Sequence, residues 1–326
     1  MDPITHGLAG AVIARAGFSK SLDRWGPITG ILAALSPDSD FILRIFGEEI
    51  FLRYHRGITH SFLLLPIFSL FCVIIFQRLF KLKQFYHVYL LCFLSILSHI
   101  ILDLMTSFGT MAFSPFTDKR MAWDIIFIVD PYFTGILLIP FILSYSFKKY
   151  QRGMGILSLV VLIPYTSLCI YNHSHSVSLA NRIAEEKGIN PELVAALPQP
   201  LSPFKWVLLI DSGDNLYQSF IDIDSYKEGR HDSKNMIWKK WPDSIWVEKA
   251  RRLPGVEFYM WFARFPVGMV KDLADGNHLV EFIDLRFDIM QGRIPFTYRV
   301  EFNQDGAIIK ERFTTINSFL DDNGRR

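Results

Sequence analysis

The sequence lacks the motifs of several common enzyme classes. It has no G-x-S-x-G elbow, so a serine hydrolase triad fits poorly, and it has neither a phosphate-binding P-loop nor a dinucleotide-binding glycine fingerprint. Its three cysteines lie within apolar runs and form no C-x-x-C pair, which indicates neither a zinc knuckle nor a disulfide framework. No internal repeat or low-complexity segment is visible.

A strong net charge and a cleavable leader are also missing. The 34 basic residues nearly balance the 32 acidic ones, which leaves a net charge of +2, and no long basic stripe occurs. We therefore expect no nucleic-acid partner. The first five residues show no basic region followed by an apolar block, so we expect no signal peptide and infer that membrane segments supply their own targeting.

Apolar residues are abundant and unevenly distributed. They make up 50% of the 326 residues, and almost all of the excess lies before Tyr171. Two short apolar segments, residues 4–16 and 27–35, predict a half-membrane hairpin near the N-terminus. Four longer runs then predict membrane spans, because each is long enough to cross a core of about 30 Å. These runs are residues 61–80, 85–108, 125–147 and 153–171.

Basic residues close the first and third of these runs. They are Arg78, Lys81 and Lys83 after the first run, and Lys148, Lys149 and Arg152 after the third. The positive-inside rule places both clusters in the cytoplasm, so the other ends of the spans face outward. The sequence thus predicts a multi-pass protein of the inner (plasma) membrane, with the bilayer as a partner and an extracytoplasmic C-terminal domain.

The composition changes after Tyr171. A helix is predicted at residues 177–187 and a Pro-rich linker at 191–203, and alternating apolar residues then predict strands. The strands are residues 206–210, 217–223, 256–265, 278–290, 296–302 and 307–313, with a helix at 242–253 and a hairpin turn at 303–306. The predicted fold is an α-helical membrane domain at 1–175, with about four spans and the short hairpin, a helix and linker at 176–203, and a small β-rich α+β domain at 204–326.

The segment His55-Arg56-Gly57-Ile58-Thr59-His60 is the strongest candidate for a functional site. It sets two imidazoles five residues apart, directly before the first predicted span. Imidazole is the commonest neutral metal ligand and is costly near hydrocarbon. The competing interpretation is an interfacial loop whose histidines meet water. The positions of the remaining ionisable residues decide between the two interpretations.

Further histidines and acids fall at the same predicted depth. His99 and Asp103 lie four residues apart on one helix face, near the outward end of the second span. A carboxylate close to hydrocarbon costs about 2.5–3.5 kcal/mol, so such residues usually face a partner, a cavity or a metal. If both ends of the N-terminal hairpin lie on the same side of the membrane as His99 and Asp103, then His6, Asp38 and Asp40 lie close to them. The predicted metal ligands are His6, Asp38, His55, His60, His99, Asp103 and Asp124, while His173 and His175 remain possible extra ligands.

These residue types favour a divalent cation, and zinc in particular. Zinc takes imidazole nitrogen and carboxylate oxygen, and catalytic sites keep one position open. Asp38 and Asp40 are the predicted base or bridging ligands. Arg56 is predicted to hold an anion such as phosphate. The predicted reaction is attack by metal-activated water on a phosphoester, which a phospholipid headgroup would also supply.

Several motifs resemble the YdjM-like family of inner-membrane proteins, which are described as metal-dependent hydrolases. The motifs are Met1-Asp2-Pro3-Ile4-Thr5-His6-Gly7, Ser36-Pro37-Asp38-Ser39-Asp40, His55-Arg56-Gly57-Ile58-Thr59-His60-Ser61 and Ser98-His99-x-x-x-Asp103. The resemblance covers about the first 175 residues and implies functional roles for His6, Asp38, His55, His60, His99 and Asp103. It fixes neither substrate nor metal. The His and Asp pattern is also similar, more loosely, to zinc-dependent phospholipase C enzymes.

Two non-hydrolytic functions compete with this prediction. A metal or proton transporter would continue the polar path toward the cytoplasmic side, yet the second span has no ionisable residue between His87 and Ser95. A cytochrome with His60 and His99 as axial ligands is the other alternative, although the many carboxylates argue against it. The sequence thus favours a membrane-bound metal-dependent hydrolase.

Overall fold

The computed structural model describes residues 1–224, 235–288 and 294–314. The chain divides into two compact units, Met1–Tyr171 and Asn172–Arg326. The predicted boundary at residue 175 lies four residues from this division.

The first unit is helical. Its α-helices are α1 (Pro3–Leu22), α2 (Trp25–Leu35), α3 (Glu48–Tyr54), α4 (Leu65–Phe80), α5 (Phe85–Leu104), α6 (Pro131–Ser146) and the first part of α7 (Gln151–Glu186). Short 3-10 helices occupy Pro37–Phe46, Ile58–His60 and Lys148–Tyr150. Helix α7 continues into the second unit, so the separate helix predicted at 177–187 is the end of α7.

Helices α1 and α2 form the expected N-terminal hairpin, and two glycines set their separation. A Cβ on Gly10 would lie 2.1 Å from the carbonyl oxygen of Gly30, and a Cβ on Gly30 would lie 2.3 Å from that of Gly10. The two backbones therefore touch, as in close helix pairs built on small residues. The structure extends α1 to 20 residues, beyond the predicted segment 4–16.

Two described helices are long and apolar enough to cross a membrane: Phe85–Leu104, and Lys148–Glu186, which is α7 with the turn before it. The pair Glu48–His60 and Leu65–Phe80 makes a third if it is counted as one span bent by 86°. The four predicted spans are therefore not confirmed.

The third predicted span is shorter than expected because its helix begins late. Pro131 stands at the first helical position of α6, and Asp130 caps the helix by accepting hydrogen bonds from the backbone N–H groups of Tyr132 and Phe133. Residues 125–129 are apolar but not helical. At about 1.5 Å per residue, the 16 residues of α6 extend only about 24 Å.

The second unit is β-rich, as predicted, and contains two antiparallel four-stranded meanders. The first has the order β1 (Leu193–Pro198), β2 (Lys205–Asp211), β3 (Asn215–Asp222) and β4 (Asn235–Lys239). The second has the order β5 (Pro266–Asp272), β6 (His278–Asp284), β7 (Thr297–Phe302) and β8 (Ile308–Thr314). Two short helices, α8 (Ile245–Arg251) and α9 (Pro254–Phe262), connect them.

Three apolar clusters arrange this unit in four layers. The inner faces of the two sheets pack together through residues such as Val207 and Ile283. The end of α7 covers the outer face of the first sheet, where Leu179 meets Trp206. Helices α8 and α9 cover the outer face of the second sheet.

Two sequence assignments in this unit are wrong. The alternating apolar pattern predicts a strand at residues 256–265, but these residues lie mainly in α9. Pro254 starts that helix at a position where a proline is favoured, and Val256, Tyr259 and Phe262 are buried at a three-residue spacing on one helix face. The Pro-rich linker contains β1, whose Pro198 lies at the end of the strand. The end of the strand predicted at 278–290 lies outside the described residues.

Candidate metal centre

Four ionisable side chains from three parts of the first unit come together. Asp38 lies at the start of the 3-10 helix Pro37–Phe46, His60 ends the turn Ile58–His60, and His99 and Asp103 lie in the last two turns of α5. One candidate ligand atom from each of the four lies within 4.8 Å of every other. His60, His99 and Asp103 are fully buried, whereas 15% of the Asp38 side chain is exposed, so Asp38 marks the accessible edge.

The four ligand atoms converge closely. The Nε2 atoms of His60 and His99 are 3.0 Å apart. Asp103 Oδ2 lies 3.2 Å from His60 Nε2 and 3.3 Å from His99 Nε2. Asp38 Oδ1 lies 3.6 Å from both nitrogens.

Hydrogen bonds on the far side of each ring fix which nitrogen faces the cluster as a lone pair. His99 Nδ1 is 2.6 Å from the carbonyl oxygen of Ala34, which can only accept, so this nitrogen carries the proton. Thr59 donates its hydroxyl proton to Asp40 Oδ2 at 2.8 Å and can then accept from His60 Nδ1 at 2.9 Å. In the neutral rings both Nε2 atoms are therefore acceptors that face each other.

This arrangement fits a divalent cation. Three lone-pair atoms, two nitrogens and Asp103 Oδ2, meet in a buried space, and Asp103 Oδ2 has no hydrogen-bond partner among the described residues. A proton on one Nε2 atom would relieve the repulsion in only one of these lone-pair contacts, whereas a cation would accept lone pairs from all three atoms. Ligand atoms placed tetrahedrally at about 2.0–2.1 Å from a cation lie about 3.3–3.4 Å apart. Five of the six separations here are 3.0–3.6 Å, and the sixth, between Asp38 and Asp103, is within 4.8 Å.

The other oxygen of Asp103 is held by basic groups. Arg56 Nη2 donates to Asp103 Oδ1 at 2.8 Å, His6 Nε2 lies 3.2 Å from the same oxygen, and the amino group of Met1 contacts it as well. The His6 ring also stacks on His99 with centroids 3.7 Å apart. His6 thus orients Asp103 and His99 from behind, and its predicted role as a direct ligand stays a prediction.

Arg56 occupies a different position from the one expected of an anion clamp. It is buried, and besides Asp103 it contacts Thr106 Oγ1 at 3.3 Å and lies over the Phe108 ring at 4.8 Å. Its guanidinium therefore balances the charge of Asp103 in this structure. Binding of a substrate anion by Arg56 stays a prediction.

A second group shares Asp38 with the first. Asp38, Asp40 and His55 also offer ligand atoms within 4.8 Å of one another. Asp40 Oδ1 lies 2.7 Å from His55 Nδ1, and Asp40 Oδ2 accepts from Thr59 and from the backbone N–H of Arg56. Both oxygens are thus engaged, which suits a carboxylate that orients His55 and the loop.

The Asp38 and Asp40 carboxyls are both held in the ionised form. Burial raises the pKa of Asp38, but a hydrogen bond from His60 and the positive charge of His99, in their protonated forms, outweigh burial, and the pKa then falls well below its usual range. Burial likewise raises the pKa of Asp40, and the hydrogen bond to His55 with the nearby His60 outweighs it. A strongly acidic carboxyl is a good ligand and a weak base, so Asp38 suits ligation better than proton abstraction.

The loop that carries His55 and His60 is clamped by residues whose roles the sequence did not reveal. Arg120 donates from Nη2 to the carbonyl oxygens of His55, at 3.1 Å, and Leu52. The backbone N–H of Met111 donates to the Arg56 carbonyl oxygen at 2.8 Å. Contacts to backbone carbonyls leave no pattern in the sequence, so neither these contacts nor the Ala34–His99 hydrogen bond could be predicted.

The remaining predicted ligands lie outside both groups. Asp124 is buried in the segment after α5, where Trp123 donates from its backbone N–H to the Leu104 carbonyl oxygen, and its role as a ligand stays a prediction. His173 belongs to the second unit, where its ring lies 5.7 Å from that of Trp206, and neither it nor His175 joins either group.

Comparison with known proteins agrees with the resemblance seen in the motifs. The YdjM inner membrane protein family matches residues 1–176, which include every residue of both groups. This chain belongs to the YdjM inner membrane protein family. Within this YdjM domain, Asp38, His60, His99 and Asp103 form the candidate metal centre.

A second comparison, with an individual protein, covers more of the chain than the family match. The chain is 24% identical to the uncharacterized protein YfhP of Bacillus subtilis (strain 168) over 289 aligned residues. The alignment covers 86% of this chain and 83% of YfhP. That coverage is larger than the YdjM domain alone, so the similarity reaches into the β-rich unit. No solved structure matches this chain.

Proposed function

We propose that this protein is a membrane-bound, metal-dependent hydrolase of phosphoesters. The observation that carries the proposal is the convergence of His60 Nε2, His99 Nε2 and the unpartnered Asp103 Oδ2 within 3.3 Å of one another. A divalent cation, with zinc favoured by the two imidazoles and two carboxylates, would supply an activated water at neutral pH and polarise the phosphoryl oxygen. In the reaction, a P–O bond forms to the water oxygen, the P–O bond to the alcohol breaks, and the alcohol takes up a proton.

Each residue of the site would have a role that follows from its position. Asp38, at the exposed edge, would hold the cation and accept a hydrogen bond from the incoming water. Thr59 and Ala34 would keep the imidazole lone pairs turned inward. Arg56 and His6 would hold Asp103 in place through its second oxygen. Preset partners of this kind typically change metal affinity or activity by about 10- to 100-fold.

The inner side of the centre supports hydrolysis over transport. A transporter needs a polar path through the bilayer, whereas a hydrolase needs one open side. The buried residues of α5 that precede His99 are almost all apolar: Val88, Leu91, Cys92, Ser95 and Ile96. Access from the Asp38 side with an apolar floor therefore favours a hydrolase.

We also propose a topology with four crossings and the β-rich unit outside the cytoplasm. Basic residues cluster between α4 and α5 and again between α6 and α7, and the positive-inside rule places both clusters in the cytoplasm. The short α6 would then cross with its flanking residues or by local thinning of the bilayer. The metal centre, at the other ends of α4 and α5, would open outward.

Metal analysis combined with a hydrolysis assay tests the function. The full-length protein would be purified in detergent as wild type, His60→Ala and His87→Ala, and bound metals and cleavage of bis(p-nitrophenyl) phosphate would be measured. His87 is the matched control because it lies on α5, like His99, but is exposed at the far end. We expect a bound divalent cation and chelator-sensitive cleavage in wild type and His87→Ala, and loss of both in His60→Ala.

Circular dichroism and gel filtration would show that His60→Ala is folded. An Asp103→Asn variant, which keeps the volume of the side chain but weakens its donor oxygen, would give an independent test. Wild-type protein without any bound divalent cation would refute the metal centre. Bound metal without cleavage of any phosphoester would refute the hydrolase.

A further inference from the structure

The segment that supplies the metal centre also has a strongly apolar outer surface. Residues 41–58 carry seven large apolar side chains that are exposed, while Asp40, His55 and His60 from the same stretch of chain are buried in the site. We call these seven the apolar rim. They are Phe41, Ile42, Ile45, Phe46, Ile50, Tyr54 and Ile58, with Ile45 reaching 79% exposure.

The direction of this segment matches the plane of a membrane. The Glu48–His60 stretch and helix α4, Leu65–Phe80, are bent by 86° relative to each other. Spanning helices tilt by about 20° from the bilayer normal on average. If α4 runs close to the normal, the Glu48–His60 stretch lies nearly parallel to the bilayer surface.

The apolar rim is continuous with the exposed face of α4. Ile58 and Leu63 are exposed at the junction, and Ile67, Phe71 and Ile75 continue the exposed apolar surface along the helix. In an inner-membrane protein an exposed apolar helix face of this kind is the surface expected to meet lipid, and the rim extends this face at the end where the centre lies. Short helices joined by loops expose backbone polar groups, so they suit the headgroup region and not the hydrocarbon core.

The rim also touches the second group, which shares Asp38 with the centre. Phe41 is 44% exposed and packs against His55, with ring centroids 4.6 Å apart. Asp38, the accessible member of the metal group, lies three residues before Phe41. A molecule embedded in the headgroup region therefore finds the open edge of the centre beside the apolar surface on which it rests.

We propose that the apolar rim lies in the headgroup region of the bilayer and that the substrate is a phosphoester carried by a membrane lipid. The substrate part of this inference rests on the proposed hydrolase, whereas the position of the rim does not. The acyl chains would remain among the exposed side chains of the rim and α4 while the phosphoester reaches Asp38. Hydrolysis would break the P–O bond to one lipid alcohol, transfer the phosphoryl group to water and return a proton to that alcohol.

Spin labelling tests the position of the rim without any need for activity. The native cysteines Cys72, Cys92 and Cys169 are buried, so a single added cysteine can be labelled selectively. Ile45→Cys would be labelled with a nitroxide in nanodiscs of phosphatidylethanolamine and phosphatidylglycerol, with Ile75→Cys on α4 as the lipid reference and Asp305→Cys in the β-hairpin turn as the water reference. Accessibility to oxygen and to a water-soluble nickel chelate would be compared.

We expect the Ile45 label to show high oxygen and low nickel accessibility, between the two references and nearer the lipid one. A nickel accessibility equal to that of Asp305→Cys would overturn the position of the rim. The outcome does not depend on whether the protein cleaves anything.

The substrate is tested by two assays on the same preparations. Wild type and the double variant Ile45→Ser with Phe46→Ser would be assayed on phosphatidic acid and phosphatidylglycerol in nanodiscs and on soluble bis(p-nitrophenyl) phosphate. Ile237→Ser, at an exposed apolar position of β4, is the control substitution. We expect the double variant to lose at least tenfold in cleavage of the lipid while cleavage of the soluble ester is unchanged.

Each of the other outcomes shows which part of the proposal has failed. Equal activity of the double variant and wild type on lipid would overturn the role of the rim in substrate access. Cleavage of the soluble ester alone by wild type would overturn the lipid substrate and leave the proposed hydrolase standing. Cleavage of neither would overturn the hydrolase and the lipid substrate together, and the label at Ile45 would still decide where the rim lies.

Discussion

Replacing Thr59 by valine tests whether hydrogen bonding behind His60 sets up the metal centre. The hydroxyl donates to Asp40 Oδ2 at 2.8 Å and lies 2.9 Å from His60 Nδ1. Valine has nearly the same shape but neither donates nor accepts, so the Nδ1 proton of His60 loses its acceptor. The ring can then exchange tautomers or rotate, and fewer molecules present Nε2 to the cation. We expect weaker metal binding without loss of the fold.

The size of the effect follows from the two hydrogen bonds. The neutral bond to His60 is worth about 1 kcal/mol net, and the bond to the charged Asp40 about 1.5–3 kcal/mol. The Asp40 bond is present with or without metal, so most of its loss lowers the stability of both forms and cancels from the affinity. What remains is at least about 1 kcal/mol, a loss of about fivefold or more, which approaches the loss of about 10- to 100-fold typical of partners that orient a metal-bound histidine.

Competition with a chromophoric chelator would measure the affinity of the purified protein for the divalent cation found in wild type. Thr59→Ser is the matched control, because it keeps the hydroxyl and should retain most of the affinity. Equal affinity of Thr59→Val and wild type would refute the argument, since the orientation of His60 would then not depend on this hydroxyl. Weak binding by both variants would show that the hydroxyl alone does not maintain the affinity and that packing of the Thr59 methyl group is also required.

Two further predictions concern the scaffold and are checked by thermal unfolding in detergent. Gly10→Ala places a Cβ 2.1 Å from the Gly30 carbonyl oxygen and should destabilise the protein by about 1–3 kcal/mol; Gly17→Ala, in the same helix with no neighbouring atom within 4 Å, should be neutral or stabilising by up to about 1 kcal/mol. Asp130→Ala removes the cap of α6 and the acceptor of the Tyr165 hydroxyl and should cost about 1–3 kcal/mol, whereas Asp118→Ala, at an exposed loop position, should leave the midpoint unchanged. Equal shifts within either pair would contradict the packing or capping argument behind it.

The helical or β-rich character of each half of the chain was predicted better than the bounds of the individual helices and strands. Strands β2, β3, β7 and β8 were predicted from the apolar pattern of their sequences, and the turn before β8 from its residue types, with Gly306 taking the positive φ that such a turn requires. The predicted strand at 256–265 failed because aromatic residues fit a helix equally well once a proline starts it. The third predicted span was too long because the apolar residues 125–129 pack without forming a helix.

The candidate centre could be predicted as a set of residue types but not as a division of roles. Ligand chemistry and a shared membrane side selected Asp38, His60, His99 and Asp103, which the structure brings together. Spacing could not show that Asp40 binds the loop on both oxygens, or that Arg56 pairs with Asp103. Those roles depend on the distances between groups that are 15 to 47 residues apart in sequence, and no local pattern records them.

The donor atoms of the centre come from the loop after α2, the turn before α4 and the end of α5, so no contiguous peptide can hold the cation as the folded unit does. A cation that binds only after these elements have packed adds its binding free energy to the folded state, about 2.7 kcal/mol at a free concentration 100 times the dissociation constant. Metal supply would then govern how long the newly inserted helices persist in the membrane. A chelator would act on the protein's lifetime as well as on its chemistry.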